Sequence, residues 1–453
     1  MRLSRSSSSG TLRAKPDATV RAVQSYQAAE SRSRRADVVV IGAGIVGLAS
    51  AYELASRKLK VYVLEGGEPG IGQSTRNWGF VRQQGRAVEE LPIMIEANGM
   101  WQELPGRLGA DLEWVQGGNL RLTDQPERAD DYLRWIETAR ALGLDSRVVT
   151  ADEVARIVPG FTGQFALAIF TPSDGQANPG KVIGSYLRAF ESEGGEVYTG
   201  SPAREVVTAG GRVVGVRTHD GFIASSSVVV AAGTGSGALL RKLGCQVPVH
   251  FVSQTVALTE PVPRLTDACV WTGQVGFRQT ANGQVLLSSG GRGEVVLDTA
   301  SLGSLLSLRQ LRQAVPMYWK NREYLQIRPR AVLSTVGSTR RSSYLDGEVR
   351  YDDVEGALAT MAAYFPGRQW RPISAWAGTI DGTPDALPIL DVVGPGGGVI
   401  VATGMSGHGF GIAPAVGRIV ADLVTAGHSH HDLWPFRLRR FVEGAANPPQ
   451  HLL

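Results

Sequence analysis

The residues best suited to chemistry begin with a glycine turn, Gly42-Ala43-Gly44-Ile45-Val46-Gly47. It follows the β-branched run Val38 to Ile41 and opens a helical pattern in which Leu48, Ala51, Tyr52 and Ala55 recur at helical spacing. The three glycines have separate tasks. Gly42 permits the tight turn, Gly44 lets the backbone approach a pyrophosphate, and Gly47 lets the helix pack close to the strand. The helix start, with Ala43 and Ile45 in the turn, offers free N–H groups and the positive end of the dipole to phosphates. Glu65 closes the next strand, Val61 to Leu64, eighteen residues past Gly47, where a carboxylate can accept hydrogen bonds from ribose hydroxyls. Strand, turn, helix, strand and acid agree, so the expected ligand is a dinucleotide.

Two distant segments narrow the nucleotide. Val228 to Val230 is a buried-strand pattern ending in the small residues Ala231, Ala232 and Gly233, which would let the backbone pass close to a planar group. Gly404-Met405-Ser406-Gly407-His408-Gly409-Phe410-Gly411 precedes an apolar helix running to Val424. That helix start would face negative charge, as on the N1 and O2 edge of a reduced flavin. FAD is therefore expected over NAD, although an NAD(P)-linked dehydrogenase would share the first motif. Arg76, Arg82 and Arg86 follow the second strand. A guanidinium fork suits a substrate carboxylate, with phosphate contact or surface pairing as the plainer alternative.

The elements that must position these residues fall into blocks. The fold class expected is α/β, a Rossmann-like FAD-binding domain built from three sequence blocks. A sheet-rich α+β substrate domain is inserted in two pieces. The boundaries are residues 36–110, 180–247 and 371–432 for the first domain and 111–179 and 248–370 for the second. A basic leader spans 1–35 and a C-terminal tail 433–453. A helix is expected from Pro179, stopped by Gly194-Gly195, then strands near 196–199, 204–208, 212–218 and 222–231. Asn282-Gly283 signals a hairpin.

Composition fits a globular chain: 453 residues, 43% apolar and 19% charged. Residues 1–36 carry eight basic residues against Asp17 and Glu30, a net of +6 within an overall +4. The rest is near neutral, which argues against a nucleic-acid surface. The leader has no apolar core, so it is not a secretory signal, and its composition fits a disordered tail or an organelle-import segment. The tail reading is preferred, with a cytoplasmic location. No apolar run is long enough for a membrane span. Cys245 and Cys269 form no metal or redox pattern, and no metal is expected. His428, His430 and His431 read as a solvated segment near a helix end, and the Trp434 to Phe441 stretch as packing against the body.

Taken together, VVVIGAGIVGLASAYELA…VYVLE, GQSTRNWG, VVVAAG, GTIDGTPDALPIL and GMSGHGFGIAPAVG resemble the D-amino-acid oxidase family over about residues 36–441. The likeness is closest to the branch of sarcosine oxidase, glycine oxidase and D-amino-acid or hydroxyproline dehydrogenases. The resemblance implies FAD contacts at Gly42, Ala43, Gly44, Ile45, Gly47, Glu65, Gly72, Ser74, Thr75, Arg76, Ala203, Ala232, Gly233, Gly378 and Gly407 to Gly411. It implies Arg82 beside the flavin and the substrate carboxylate, and His408 near the flavin ring, either in the chemistry or holding the loop. The implied reaction is oxidation of the C–N bond of a small amino acid or secondary amine, by hydride transfer to flavin and hydrolysis of the imine. Oxygen or another acceptor would reoxidise the flavin. A flavin-bearing subunit of a heteromeric dehydrogenase is the alternative, and homo- or hetero-oligomers are both open.

The chain departs from the family pattern at three places. Gly378 stands six residues before Pro384-Asp385, where monomeric sarcosine oxidases attach the flavin to a cysteine, so the FAD is expected to be non-covalent. Gly411 replaces a substrate-binding lysine. The run Gln284 to Ser289 lacks the lysine that faces the flavin in sarcosine oxidase, which tilts the expectation towards a dehydrogenase. Arg292, Tyr318 and Tyr344 are candidate wall residues.

Overall fold

The computed structural model describes residues 34–290, 294–297, 325–327 and 347–446. The leader up to residue 33, Arg292, Tyr318 and Tyr344 lie outside them. The β-branched run forms β1 (Val38–Ile41), followed by helix α1 (Ile45–Ser56) and β2 (Val61–Leu64). All four residues of each strand are buried, as expected of strands covered on both faces. Further on come helices α2 (Leu91–Arg107) and α3 (Pro179–Ser192) and strands β3 (Glu196–Tyr198) and β4 (Ser227–Val230). Asn178 caps α3 by accepting from the Gly180 and Lys181 N–H groups. The last elements are β5 (Pro372–Gly382), β6 (Ile389–Val393), β7 (Val399–Thr403) and helix α4 (Gly409–Thr425).

Six of these strands form one sheet in the order β6-β7-β4-β1-β2-β3, parallel except for the β6–β7 pair. This is the Rossmann-like α/β core. Helices α1 to α4 pack on one face, burying Leu48, Trp101, Phe190 and Ile412 among others. The other face is covered by an antiparallel sheet of residues 203–224 and by Leu438 and Phe441. A second, larger sheet joins strands from 119–171 and 250–327, with helix Tyr351–Tyr364 packed against it.

Three boundaries differ from the sequence reading. β5, placed with the nucleotide blocks, instead pairs with His250–Pro261 in the large sheet, so the third block enters the nucleotide sheet only at β6. The stretch 222–231 is two strands, Phe222–Ala224 and β4. Ser225 breaks it: its hydroxyl accepts from the Ser227 N–H and lies 3.0 Å from the Asp37 carbonyl. Regular structure also starts earlier than Ala36, because Arg34–Arg35 pair with Ile223–Ala224. Among the described residues no helix is long and apolar enough to cross a membrane.

Candidate active site

The glycine turn sits where only a bare backbone fits. Gly42 has φ +106°, and a Cβ there would stand 2.4 Å from the Ala231 carbonyl oxygen and 2.9 Å from the Ala232 Cα. A Cβ on Gly47 would meet the Gly42 carbonyl oxygen at 1.9 Å. The end of β4 therefore presses directly on the turn. The Glu65 carboxylate accepts from the Ala43 N–H through Oε2 and from the Gly67 N–H through Oε1, both at 2.8 Å. Each oxygen keeps a further lone pair. Ser74 Oγ accepts from the Ile45 N–H (2.9 Å), tying the 3₁₀ turn Gln73–Thr75 to the start of α1. A Cβ on Gly44 would lie 3.1 Å from that oxygen.

The turn itself is braced locally. Gly72 precedes it, the Thr75 hydroxyl donates to the Gly70 carbonyl (2.8 Å), and the Arg76 guanidinium donates to the Gly72 carbonyl (3.2 Å) and to that of Ile71. Gly378 of β5 faces this arginine, where an added Cβ would lie 3.2 Å from the Arg76 Cβ. Ala203 opens the antiparallel sheet two residues after Ser201, whose N–H donates to the Glu65 carbonyl (2.9 Å).

Asp381, at the end of β5, links the blocks. It accepts from Gln73 Nε2 (3.0 Å) and from the Gly404 N–H (3.1 Å), and its carbonyl accepts from the Ser406 N–H (3.1 Å). Burial pushes its carboxyl up to about 6 against these hydrogen bonds. Gly233 joins the same cluster, since its carbonyl accepts from Thr403 Oγ1 at 3.3 Å. The loop after β7 visits positive φ at Gly404, Ser406 and Gly407 before α4 begins at Gly409. Phe410 packs 5.2 Å from Trp101, whose Nε1 donates to the Gly411 carbonyl (2.7 Å).

His408 caps α4 and is 4% exposed. Its Nδ1 lies 2.9 Å from Oε2 of the fully buried Glu90. Burial first, then Arg86 and Arg82, push the imidazole down to about 4, with Glu90 opposing. A neutral ring that donates Nδ1–H to Glu90 keeps its lone pair on Nε2. Arg82 is partly exposed, and its Nη1 donates to the Gln84 carbonyl (2.7 Å). Burial and the cations Arg86 and Arg121 hold its guanidinium well below the ordinary range, while Asp174 and Glu90 oppose. Asp174 is buried beneath this turn and accepts from the Gln83 and Gln84 N–H groups (2.7 and 3.1 Å). Burial pushes its carboxyl up to about 6. Arg86 Nη1 and Arg121 Nη2 are buried with no hydrogen-bond partner among the described residues. Among the described residues, three guanidiniums thus stand against two carboxylates, Glu90 and Asp174.

Sequence reading singled out Arg76, Arg82, Arg86 and His408 but missed Gln73, Glu90, Arg121, Asp174 and Asp381. Gln73 and Asp381 lie inside the quoted motifs, a signal available in retrospect. Glu90 and Asp174 carry none, because their partners are brought to them by tertiary packing across 318 and 91 positions. Cys269 is buried, and burial pushes its thiol strongly up; Cys245 is half-buried and also raised, by burial first.

The nucleotide cradle fits the ADP half of FAD: space that a Cβ would fill, the positive end of a helix and an acid at the strand end coincide. A family model described as FAD dependent oxidoreductase (DAO) matches residues 37–423. Glycine oxidase of Geobacillus kaustophilus is 25% identical over 421 residues, covering 90% of this chain and 98% of the relative. Sarcosine oxidase subunit beta of Rhodobacter capsulatus is 25% identical, covering 91% and 90%. The solved L-amino acid deaminase from Proteus vulgaris has the same fold, with a TM-score of 0.81 at 23% identity, covering 90% of this chain and 97% of that one. With the match spanning nearly all of the chain beyond the leader, the protein belongs to the DAO family of FAD-dependent oxidoreductases.

Proposed function

We propose that this protein oxidises the C–N bond of a small amino acid or secondary amine that carries a carboxylate, using non-covalent FAD. The carrying observation is the surplus of guanidinium charge around the partly exposed Arg82, beside the loop that bears His408. Arg82 would clamp the carboxylate and so orient the C–H bond next to the nitrogen. Neutral His408, held by Glu90, keeps the α4 start in place without adding charge. FAD, when bound, supplies a hydride acceptor, and the substrate leaves as an imine that hydrolyses. Gly42 to Gly47, Glu65 and Gly72 to Arg76 would hold its ADP half, with Ala203, Ala232, Gly233, Gly378 and Gly407 to Gly411 along the rest. Non-covalent binding is supported by Gly378, which has no side-chain atom to attach the flavin.

The strand Gln284–Ser289 offers no lysine, which favours an acceptor other than oxygen. Stoichiometric hydrogen peroxide in air would overturn that part. The two free cysteines support a reducing, cytoplasmic setting. A second reading, the flavin-bearing subunit of a heteromeric dehydrogenase, is favoured by the likeness to sarcosine oxidase subunit beta. Turnover only with a co-purifying chain would select it.

The deciding experiment is anaerobic flavin bleaching against D-amino acids, glycine, sarcosine, prolines and opines, each paired with its carboxylate-free amine. Bleaching by carboxylate-bearing amines alone is expected. Equal bleaching by their carboxylate-free partners, or none by any amine, would refute the proposal.

A further inference from the structure

Away from the flavin loop, the histidines that follow α4 meet a glutamate of α2. Gly427 turns the chain with φ +78°, and the segment after it folds back onto Glu96. His430 Nε2 and His431 Nε2 lie 2.8 and 2.5 Å from the same oxygen, Glu96 Oε2, with their ring centroids 4.2 Å apart. One donor atom from each of the three residues falls within 4.8 Å of the others. The other carboxylate oxygen, Oε1, accepts from Arg418 Nη1 at 2.9 Å, which fixes the rotamer and leaves Oε2 directed at the two rings. Asp422 Oδ2 stands 3.9 Å from His430 Nδ1, where a small ring rotation would let it orient the tautomer that leaves Nε2 unprotonated.

We propose that Glu96, His430 and His431 form a binding site for a zinc-class divalent cation that ties the loop after α4 to α2. Two imidazoles and one carboxylate are the donor set of such ions, whereas magnesium and calcium prefer oxygen alone. Zinc bonds of about 2.0–2.2 Å in a tetrahedron need donors roughly 3.3 Å apart. The two nitrogen–oxygen separations must therefore open by less than about 1 Å. His430 and its loop can yield, since that side chain is 58% exposed, while His431 and Glu96, at 10% and 18%, supply a fixed half-site. Water completes the coordination from the exposed side. The nearby charges balance, because Arg418 pairs with Glu96 and Arg57 with Asp422. Added affinity therefore comes from the converging donors and not from a general negative field, which makes the site selective for ions that take nitrogen. The ion would be a structural brace: the catalytic candidates lie at the other end of α4, whose 17 residues span roughly 25 Å.

The test uses untagged, chelator-stripped holoprotein dialysed against zinc chloride, with magnesium chloride in parallel. One zinc per chain and a higher melting temperature are expected, and no change with magnesium. The His430→Ala/His431→Ala double variant and, separately, Glu96→Gln should weaken zinc binding at least about tenfold and lose the melting shift. Their flavin absorbance should stay as in the wild type, which shows that they are folded. Absence of stoichiometric zinc from the wild type would overturn the site. So would zinc binding by the double variant as tight as the wild type's.

Discussion

The Asp385–Arg440 pair offers the sharpest quantitative test, because it joins the closing segment to the turn that supports the His408 loop. Both side chains are almost fully buried, at 3% and 2% exposure. Arg440 Nε and Nη2 donate to the two carboxylate oxygens at 2.7 and 3.0 Å. Its remaining donors serve the carbonyls of Leu387 (2.9 Å), Phe436 (2.8 Å) and Arg437 (3.2 Å), so all five N–H bonds of the guanidinium are used. Asp385→Asn would leave a buried cation without its counter-charge, and Arg440→Met a buried anion. Each should cost about 3–5 kcal/mol. The Asp385→Asn/Arg440→Met double variant removes both charges and should cost only about 1–3 kcal/mol, chiefly for the Phe436 carbonyl, since the Leu387 carbonyl keeps Thr383 Oγ1 and the Arg437 carbonyl keeps the Arg440 N–H. The two charge-removing changes are thus strongly non-additive. For a chain of this length, 4 kcal/mol lowers the melting temperature by roughly 4 °C if unfolding is cooperative. Melting of the holoprotein, with limited proteolysis of the segment beyond Leu433, reads the effect. The single variants should also retain flavin less well, since Thr383 N–H in the same turn donates to Ser406 Oγ at 3.1 Å. Single variants that melt within 1 °C of wild type, or a double variant as unstable as both singles together, would refute the reasoning.

Other predictions concern the cradle, the clamp and pH. Gly47→Ala places a Cβ 1.9 Å from the Gly42 carbonyl oxygen and should abolish flavin retention, whereas Gly237→Ala meets nothing within 4 Å and should not; flavin absorbance per chain decides. If Arg82 clamps the carboxylate, Arg82→Ala should raise KM by roughly 10- to 150-fold, the worth of a charge-assisted hydrogen bond, with FAD still bound. An unchanged KM would reject the clamp. His250 is pushed down to about 4 by burial alone, so its contribution to stability is present above pH 6.5 and lost as pH falls towards 4. Asp174 and Asp381, raised to about 6, act in the opposite sense, contributing below pH 3.8 and losing that contribution as pH rises through 6. Between pH 6.5 and 4.5 the His250→Gln variant should therefore lose about 2–3 kcal/mol less stability than the wild type, measured by denaturant titration at each pH. Equal losses would contradict the buried neutral imidazole.

Much of the Rossmann-like half was legible in the sequence because its signals are local. A β-branched run, a turn that needs Gly42 at positive φ, and an apolar helical repeat each depend on neighbours a few residues away. So does the small-residue end of β4, whose backbone must pass within van der Waals reach of that turn. The boundary at β5 was not legible, since an eleven-residue strand does not state which sheet it will join; pairing with His250–Pro261 settled that. The electrostatics were decided only by tertiary structure. His408, Arg82 and Arg86 can be read as residue types, but the state of His408 depends on Glu90, 318 positions away. Likewise Arg440, read as part of a packing segment, becomes a fully bonded buried cation only because Asp385 is folded against it. Residue type limits what a side chain can do; burial and the charge brought beside it, both set by packing between distant segments, determine which of those things it does.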